Sequence, residues 1–539
     1  MQKQNTQQQV VPAGKTIKIV DLFAGPGGLG EGFSSHGAFQ IAVSAEMESS
    51  AHATLRLRAF YRTLKRLGGG AASAYFDLCN GKASVPKDDN PLQDWSEPIR
   101  QAWIDACKEA LQLTLGEAES NARLDRAIRD HEIGAGAPWV LIGGPPCQAY
   151  SLVGRARNKG KEHYKAEDDH RHFLYKEYLR IIAQNQPNVF VMENVKGILS
   201  SKVGSTQIFH SILKDLADCG YRIHSLVTNT CFNRGDDPTK LDARDFIVRS
   251  EQYGIPQARH RVILLGIRED VCHKNGSDWW PPVLQTVATT SVKHVIGDLP
   301  PLRSKISKGD DSAERWKSLL VKHARELAQE ARLKKHGMFD VAGWLDSVAV
   351  ETALPADTTG AANRYQAPGQ CPDALIDWYT AGGTTNQLTY FMNHEARGHM
   401  ESDLRRYVFA AAFAKATGSS PKGHEDFALR GLAPDHDNWT SGKFADRFRV
   451  QLEDRPATTV TSHIAKDGHY FIHYDPLQCR SLTVREAARL QTFPDDYFFQ
   501  GNRTQQYHQV GNAVPPLLAY EISKTVFSVL NLSGHTQRT

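Results

Sequence analysis

Residues 15–29 read Lys15-Thr16-Ile17-Lys18-Ile19-Val20-Asp21-Leu22-Phe23-Ala24-Gly25-Pro26-Gly27-Gly28-Leu29, and their character changes in the middle. The first half is β-branched and apolar, the composition of a short buried strand. The second half is a glycine-rich turn, after which apolar residues take helical spacing through Leu29 and Phe33. A strand that ends in glycines and becomes a helix offers unpaired N–H groups and a closely approaching backbone at its carboxyl end. Further strands are expected over Phe39–Glu46, Trp139–Ile142 before GGPPC, Asn188–Met192 before Glu193, and Arg261–Gly266. Phe173, Leu174, Tyr178, Ile181 and Ile182 share one face of an intervening helix. Strands alternating with helices, with the unusual residues at strand ends, predict an α/β sheet whose working edge lies at the carboxyl ends.

The rest of the chain sets boundaries around that sheet. Residues 1–14 form a polar, glutamine-rich tail without the layout of a signal peptide, and 532–539 a second tail. The main domain is expected over 15–270, with helices inserted at 79–137. A second domain spans 271–452, where spacing is irregular and Gly, Pro and His are frequent, and the first domain resumes over 453–531. With 40% apolar and 23% charged residues and no apolar run of about 18, the 539-residue chain has a soluble, non-membrane profile. Lys+Arg 64 against Asp+Glu 60 leaves +4, so any affinity for nucleic acid must come from local basic runs. The eight cysteines are scattered without a CxxC pair, which argues against a metal site and for a reducing interior where one thiol acts alone.

Two groups of residues carry chemistry. Pro26 inside the first turn breaks the GxGxxG spacing of a dinucleotide site, so a cofactor with an adenosyl group and no pyrophosphate fits better. Glu46 then suits the ribose hydroxyls and Asp77 the adenine amino group. In Gly143-Gly144-Pro145-Pro146-Cys147 two prolines stiffen the backbone before a thiol, aiming it as a nucleophile. Glu193 emerges from a buried strand, and a carboxyl screened from water can share a proton with ring nitrogen 3 of cytosine. That opens carbon 6 to the Cys147 thiolate and makes carbon 5 an enamine-like nucleophile. Alternation aims Arg259 and Arg261 at one surface, toward a phosphate and the oxygen of a flipped base. Arg155, Arg157, Lys159 and Lys161 form a basic run expected to close over nucleic acid.

These segments, in order, resemble the cytosine-5 DNA methyltransferase family of prokaryotic restriction–modification systems. The matching strings are DLFAGPGGL at Asp21, Glu46, Asp77, GGPPCQAYS, MENVKG, YGIPQARHR, RPATT, SLTVREAARLQTFP and QVGNAVPP, covering most of 15–270 and 453–531. The resemblance implies a class I methyltransferase fold, a Rossmann-like mixed sheet flanked by helices, with 271–452 as a variable target-recognition domain. It implies S-adenosylmethionine as cofactor, held by Phe23, Ala24, Gly25, Gly27, Gly28, Leu29, Glu46, Asp77, Pro145, Asn512 and Val514. Cys147, Glu193, Arg259 and Arg261 become the catalytic set. Gln148, Ser151, Arg155, Arg157, Lys159, Lys161, Gln257 and Thr459 face double-stranded DNA, although Gln257, Thr459 and Arg485 also suit a scaffold. His394, Arg397, His399 and Arg405 either touch DNA or form a polar helix surface. The implied setting is a monomer on DNA in a microbial cytoplasm, associated with the nucleoid, beside a companion restriction endonuclease or phage-defence proteins. A tRNA cytosine-5 methyltransferase on the same scaffold and an inactive DNA-binding homologue are the competing readings.

Overall fold

The computed structural model describes residues 16–134, 136–146, 174–203, 206–276, 279–434 and 447–535. Among them one mixed sheet contains β1 (Ile17–Leu22), β2 (Phe39–Glu46), β3 (Ala110–Gln112), β4 (Trp139–Gly143), β5 (Val189–Val195), β6 (Tyr221–His224), β7 (Cys231–Phe232), β8 (Ile247–Arg249) and β9 (His260–Arg268). Its order is β3-β2-β1-β4-β5-β9-β6-β7, with β8 paired to β9. The first five strands in this order are parallel, and β9 runs antiparallel to both β5 and β6. The carboxyl ends of β1 to β5 and the beginning of β9 therefore lie on one edge: Leu22 aligns with Ala45 and Gly143, Gly143 with Met192, and Val195 with Arg261. This is the α/β arrangement expected from the alternating strand and helix patterns.

Both sheet faces are covered, as strands with near-continuous apolar runs require. Helices α1 (Gly28–Ser35), α2 (Ser49–Leu67), α3 (Ser73–Cys79), α4 (Glu97–Glu109), α5 (Ala118–Asp130), α6 (Leu174–Asn185) and α7 (Ile208–Asp218) alternate with the strands. Leu124 and Ile128 of α5, Tyr178, Ile181 and Ile182 of α6 and Ile212 of α7 pack on one face with Val20, Leu141 and Phe190. The other face takes Leu29 and Phe33 of α1, together with apolar residues from the end of the chain.

Beyond β9 the chain is largely helical: α8 (Ala313–Ala331), α9 (Phe339–Val350), α10 (Glu401–Thr417), α11 (Val484–Leu490), α12 (Arg503–Asn512) and α13 (Pro516–His535) are its main elements. Leu518, Ile522 and Val526 of α13 close the sheet face begun by α1. Trp316 of α8 and Tyr407 of α10 share one apolar cluster with Phe60 of α2, Tyr75 of α3 and Trp103 of α4. The direct polar contacts of the 271–452 segment with the chain between β2 and β3 run through residues 384–389: Tyr61 donates to Thr384 Oγ1 at 3.2 Å, and Asn80 Oδ1 accepts the Thr389 N–H at 2.9 Å. No helix among the described residues is long and apolar enough to cross a membrane.

The segment 79–137 differs from its expectation as inserted helices. It holds α4 and α5, but between them Ala110–Gln112 forms the edge strand β3, aligned with Ser44–Glu46. Three residues are too few to show strand alternation in a sequence.

α1 and α13 meet at very short range. A Cβ placed on Gly32 would lie 2.3 Å from the Pro516 carbonyl oxygen and 2.5 Å from Ala519 Cβ. Gly32→Ala should therefore force these helices apart and lower stability by roughly 1–3 kcal/mol, the usual cost of overpacking. Thermal and urea unfolding of the variant check this, and an unchanged midpoint would mean that the helices slide apart without penalty.

Candidate active site

The glycine turn is built by backbone strain and one carboxylate. Phe23 and Gly25 have φ of +56° and +57°, and Gly27, at +97°, caps α1. The Ala24 N–H donates to the Ala45 carbonyl at 3.1 Å. The Gly25 N–H donates to Glu46 Oε2 at 2.8 Å, and Glu46 Oε1 accepts the Glu48 N–H at 2.8 Å. One side chain thus fastens the turn after β1 to the start of α2. Burial raises the Glu46 carboxyl above its ordinary range, and these backbone N–H groups oppose the rise.

The glycines serve different ends. A Cβ on Gly27 would lie 2.8 Å from Leu55 Cδ1, and one on Gly28 would lie 2.2 Å from the Val514 carbonyl oxygen, so both positions exclude side chains to permit packing. A Cβ on Gly25 would meet nothing within 4 Å. The space beside Gly25 is open, flanked by the half-buried Phe23 and Ala24 and by Glu46, and the buried Leu29 lies in the helix below. Val514 is brought to the turn, and Asn512 is exposed at the end of α12. Beneath the turn Asp21 is 1% exposed. Neither of its oxygens has a well-formed hydrogen bond. Burial pushes this carboxyl up to about 8, against the pull of Arg62.

Asp77 is not at a strand end. It lies on α3, half exposed, with Lys82 Nζ at 2.9 Å from Oδ1. Neighbouring Asn80 donates to the Gln387 carbonyl, so this helix faces the recognition region. The residue at the carboxyl end of the strand beside Glu46 is Gln112, exposed, with Nε2 donating to the Met47 carbonyl at 3.3 Å. Asp77 was identified by residue type and order alone, whereas Gln112 occupies the position by strand register.

The second half of the edge lies across β1. Gly143 aligns with Leu22 on one side and Met192 on the other. A Cβ on Gly144 would stand 3.1 Å from Glu193 Oε2, and Asn194 Nδ2 donates to the Pro145 carbonyl at 3.1 Å. The chain leading toward Cys147 is therefore laid against Glu193. Cys147 itself, with Gln148, Ser151, Arg155, Arg157, Lys159 and Lys161, lies outside the described residues. Glu193 Oε1 pairs with Arg261 Nε at 2.9 Å, the two side chains being 12% and 15% exposed. Burial lowers the Arg261 pKa and the Glu193 carboxylate resists that shift.

Arg259 does not present its guanidinium to a surface. It is 2% exposed, and Nη1 donates to the carbonyls of Val460 at 2.9 Å and Gly511 at 3.2 Å. Its pKa falls well below the ordinary value through burial and the nearby Arg261 charge. Gln257 is fully buried and bonded to Val460 and Gln491, and Thr459 donates to the Ala258 carbonyl at 2.6 Å. Gln257 therefore belongs to the internal joint where Gln257–Ala258 pairs in parallel with Ala457–Thr458 and not to a DNA-facing surface, while Thr459 is half-buried beside that joint. Arg485 is likewise internal, donating to the carbonyls of Met392, Pro494 and Tyr497.

His394, Arg397 and His399 lie before α10 and are buried. His394 is held by Thr483 and the Pro300 carbonyl, Arg397 by the Ile464 and Lys466 carbonyls, and His399 by Ser481. Arg405, on α10, pairs with Glu326. Burial pushes His394 down to about 4, so it carries no charge for a phosphate near neutrality. The three buried residues therefore form neither a DNA-facing cluster nor a polar helix surface, whereas Arg405 is half-buried on α10 against Glu326 of α8.

The model of the C-5 cytosine-specific DNA methylase family matches residues 107–528. The type II methyltransferase M.Bpa9945I of Bacillus paralicheniformis is 32% identical over 536 residues, covering 96% of this chain and 99% of that one. The type II methyltransferase M.AgeI of Thalassovita gelatinovora is 26% identical over 95% of this chain and 99% of its own. The DNA (cytosine-5-)-methyltransferase M.ApeKI of Aeropyrum pernix is 26% identical over 73% of this chain and 81% of its own.

Asp21 makes stability depend on pH in a known direction. The folded chain keeps its proton up to about 8, whereas an unfolded chain releases it near 3.8. The folded state binds more protons between those values, so this group's contribution to stability declines as pH rises through that window and is flat above it. The unfolding midpoint of Asp21→Asn relative to the parent should rise from pH 5 to pH 8 and then level off. A difference that stays constant across that range would show that Asp21 is ionised in the folded protein.

Proposed function

This chain belongs to the C-5 cytosine-specific DNA methylase family, and on that premise we propose which of its residues perform the methyl transfer and how. It is an S-adenosylmethionine-dependent enzyme that methylates carbon 5 of cytosine in DNA, of the prokaryotic restriction–modification kind. The observation that carries the residue assignment is the Glu193–Arg261 pair, set beside Gly144–Pro145 on the same sheet edge as the Gly25–Glu46 clamp.

The cofactor half fits an adenosyl amino acid. Open space beside Gly25, the Glu46 carboxylate and the N-terminus of α1 together suit a ligand with ribose hydroxyls and a carboxylate. Phe23, Ala24, Gly25, Glu46, Asn512 and Val514 would hold it, with Gln112 in place of Asp77 toward the adenine. Bound there, S-adenosylmethionine supplies an electrophilic methyl group on a sulfonium.

The base half activates an inert ring. The target cytosine is turned out of the duplex into the pocket, since its carbon 6 is hidden in the stack. The Cys147 thiolate forms a bond to carbon 6 while Glu193 delivers a proton to ring nitrogen 3, and the displaced ring electrons collect at carbon 5. Arg261 holds the Glu193 carboxyl in place and balances its charge once the proton has left. Carbon 5 would then bond to the methyl group, the cofactor sulfur keeping the electron pair of the broken methyl–sulfur bond and leaving as a neutral thioether; carbon 5 gives its proton to a base, the bond between Cys147 sulfur and carbon 6 breaks to return the thiolate, and ring nitrogen 3 returns its proton to Glu193. Gln148, Ser151, Arg155, Arg157, Lys159 and Lys161 contact the DNA around the flipped base, and residues 271–452 read the target sequence. The same reading has a monomer acting on nucleoid DNA, and a companion endonuclease, for which the type II names of the relatives speak, completes it.

Cys147→Ser should abolish transfer of labelled methyl to DNA containing the target site. The parent enzyme should form a stable adduct on DNA carrying 5-fluorocytosine, where carbon 5 has no proton to release. Glu193→Gln should lower kcat by about 100-fold or more while DNA affinity holds, the scale of a lost acid–base group. Normal 5-methylcytosine formation by the serine variant ends the thiol mechanism.

A further inference from the structure

A closed ring of buried hydrogen bonds joins the two halves of the site, and its key member is a residue that has no part in the chemistry above. Val460 is held twice: its N–H donates to Gln257 Oε1 at 2.5 Å, and its carbonyl accepts from Arg259 Nη1 at 2.9 Å. Gln257 Nε2 donates to Gln491 Oε1 at 2.9 Å, and Gln491 Nε2 donates to the carbonyls of Val510 at 2.6 Å and Ala513 at 3.3 Å. The ring closes where the same Arg259 Nη1 reaches the Gly511 carbonyl at 3.2 Å. Gln257, Val460, Gln491 and Val510 are all 0% exposed, so no water competes for these bonds.

The ring spans two parts with different duties. Gln257 and Arg259 lead into β9 and Arg261, which holds Glu193, and Val460 follows the joint to the recognition region. Residues 510–513 lead to Val514, whose carbonyl lies against Gly28 of the glycine turn. A Cβ on Gly511 would stand 2.4 Å from the Ser462 nitrogen, so this loop also abuts the chain just beyond Val460. Gln491 accepts from the β9 side and donates to the loop on the cofactor side, beside the direct bond from Arg259 to Gly511. A buried amide satisfied on both its oxygen and its nitrogen has a single low-energy orientation, which suits a spacer between two reacting parts.

We propose that Gln491 is a positioning residue: through Gln257 and the 510–513 loop it sets the cofactor turn against the strand that bears Arg261. The proposal rests on the cysteine mechanism above, and its test separates the two. Thiol addition at carbon 6 makes carbon 5 exchange its hydrogen with water even without cofactor, so tritium release from [5-3H]cytosine DNA reports the base half alone. Methyl transfer requires both halves in register.

Gln491→Met keeps length and volume and removes the polar contacts. The variant should lower kcat/KM for S-adenosylmethionine by roughly ten-fold, the effect of one to two lost buried hydrogen bonds, while cofactor-free exchange stays within about two-fold of the parent. Gln257→Met, which cuts the ring on its other side, should shift the same ratio, and it decides the question if Gln491→Met does not fold. A parallel fall in transfer and exchange would make Gln491 scaffold only and overturn the proposal. Unchanged values for both would overturn it equally. Absence of exchange in the parent would sink the thiol mechanism first, and the proposal with it.

Discussion

The contact on which the site depends is the close approach of two carbonyls, Val514 and Pro516, to two glycines, Gly28 and Gly32, in the first helix. Residues nearly five hundred positions apart meet there, with no room for a methyl group between them. The approach places α13 on the sheet face that α1 only half covers, and it brings Asn512 and Val514 to the turn that β1 begins. Contacts of such sequence separation close a long loop, whose entropy the packing of α1 on α13 must offset. The chain between the two ends can vary in length, because what must be kept is the meeting of its ends.

Buried charge divides the same edge into two chemical environments. Glu46 and Glu193 are both carboxyls at strand ends, yet Glu46 is bound by backbone N–H groups and Glu193 by a guanidinium. Backbone donors stay fixed, which suits a group that must remain an acceptor for a ligand. A guanidinium partner carries full charge and fixes the Glu193 side chain through one charge-assisted bond. A further buried set, Glu31 with Arg58, Arg58 with Asp496, and Arg62 with Glu109, ties α1, α2, α4 and the returning chain together. Losing one member of such a set leaves its partner unpaired in a dry interior, at a cost of about 3–5 kcal/mol.

Much of this edge was legible before any coordinates. The strand–turn–helix at Ile17–Ser35, Glu46 at the end of a strand and Glu193 near the end of another all follow from apolar periodicity broken by unusual residues. Three kinds of information were not legible. The place of Gln112 beside Glu46 was hidden, because a three-residue strand has no periodic signal and only register puts it there. The direction of Arg259 escaped the alternation rule because pairing stops at Ala258 and resumes at His260, so Arg259 lies between two strands and turns inward. The burial of His394, Arg397 and His399 was hidden because polar residues read as surface until carbonyls and hydroxyls from distant segments are seen to satisfy them.

The 271–452 segment, proposed above to read the target sequence, is tied directly to the domain that holds the glycine turn. Tyr61 of α2 donates to Thr384 Oγ1 at 3.2 Å and Asn80, just after α3, accepts the Thr389 N–H at 2.9 Å, while α2 is bonded through Arg58 and Glu31 to the helix beneath the glycine turn. Arg489, at the end of the return motif, is buried between Asp298 and Asp495 and fixes the entry to that region against α11. The 271–452 segment and the glycine turn are therefore joined through polar contact, at Tyr61 and Asn80 on one side and at Val460 and residues 510–513 on the other. A substitution at either joint can shift the glycine turn without touching it, since displaced side chains transmit strain through a close-packed interior. Exchange of the 271–452 segment between relatives would accordingly succeed only where Tyr61, Asn80 and the Gln257–Gln491 joint are carried along or matched.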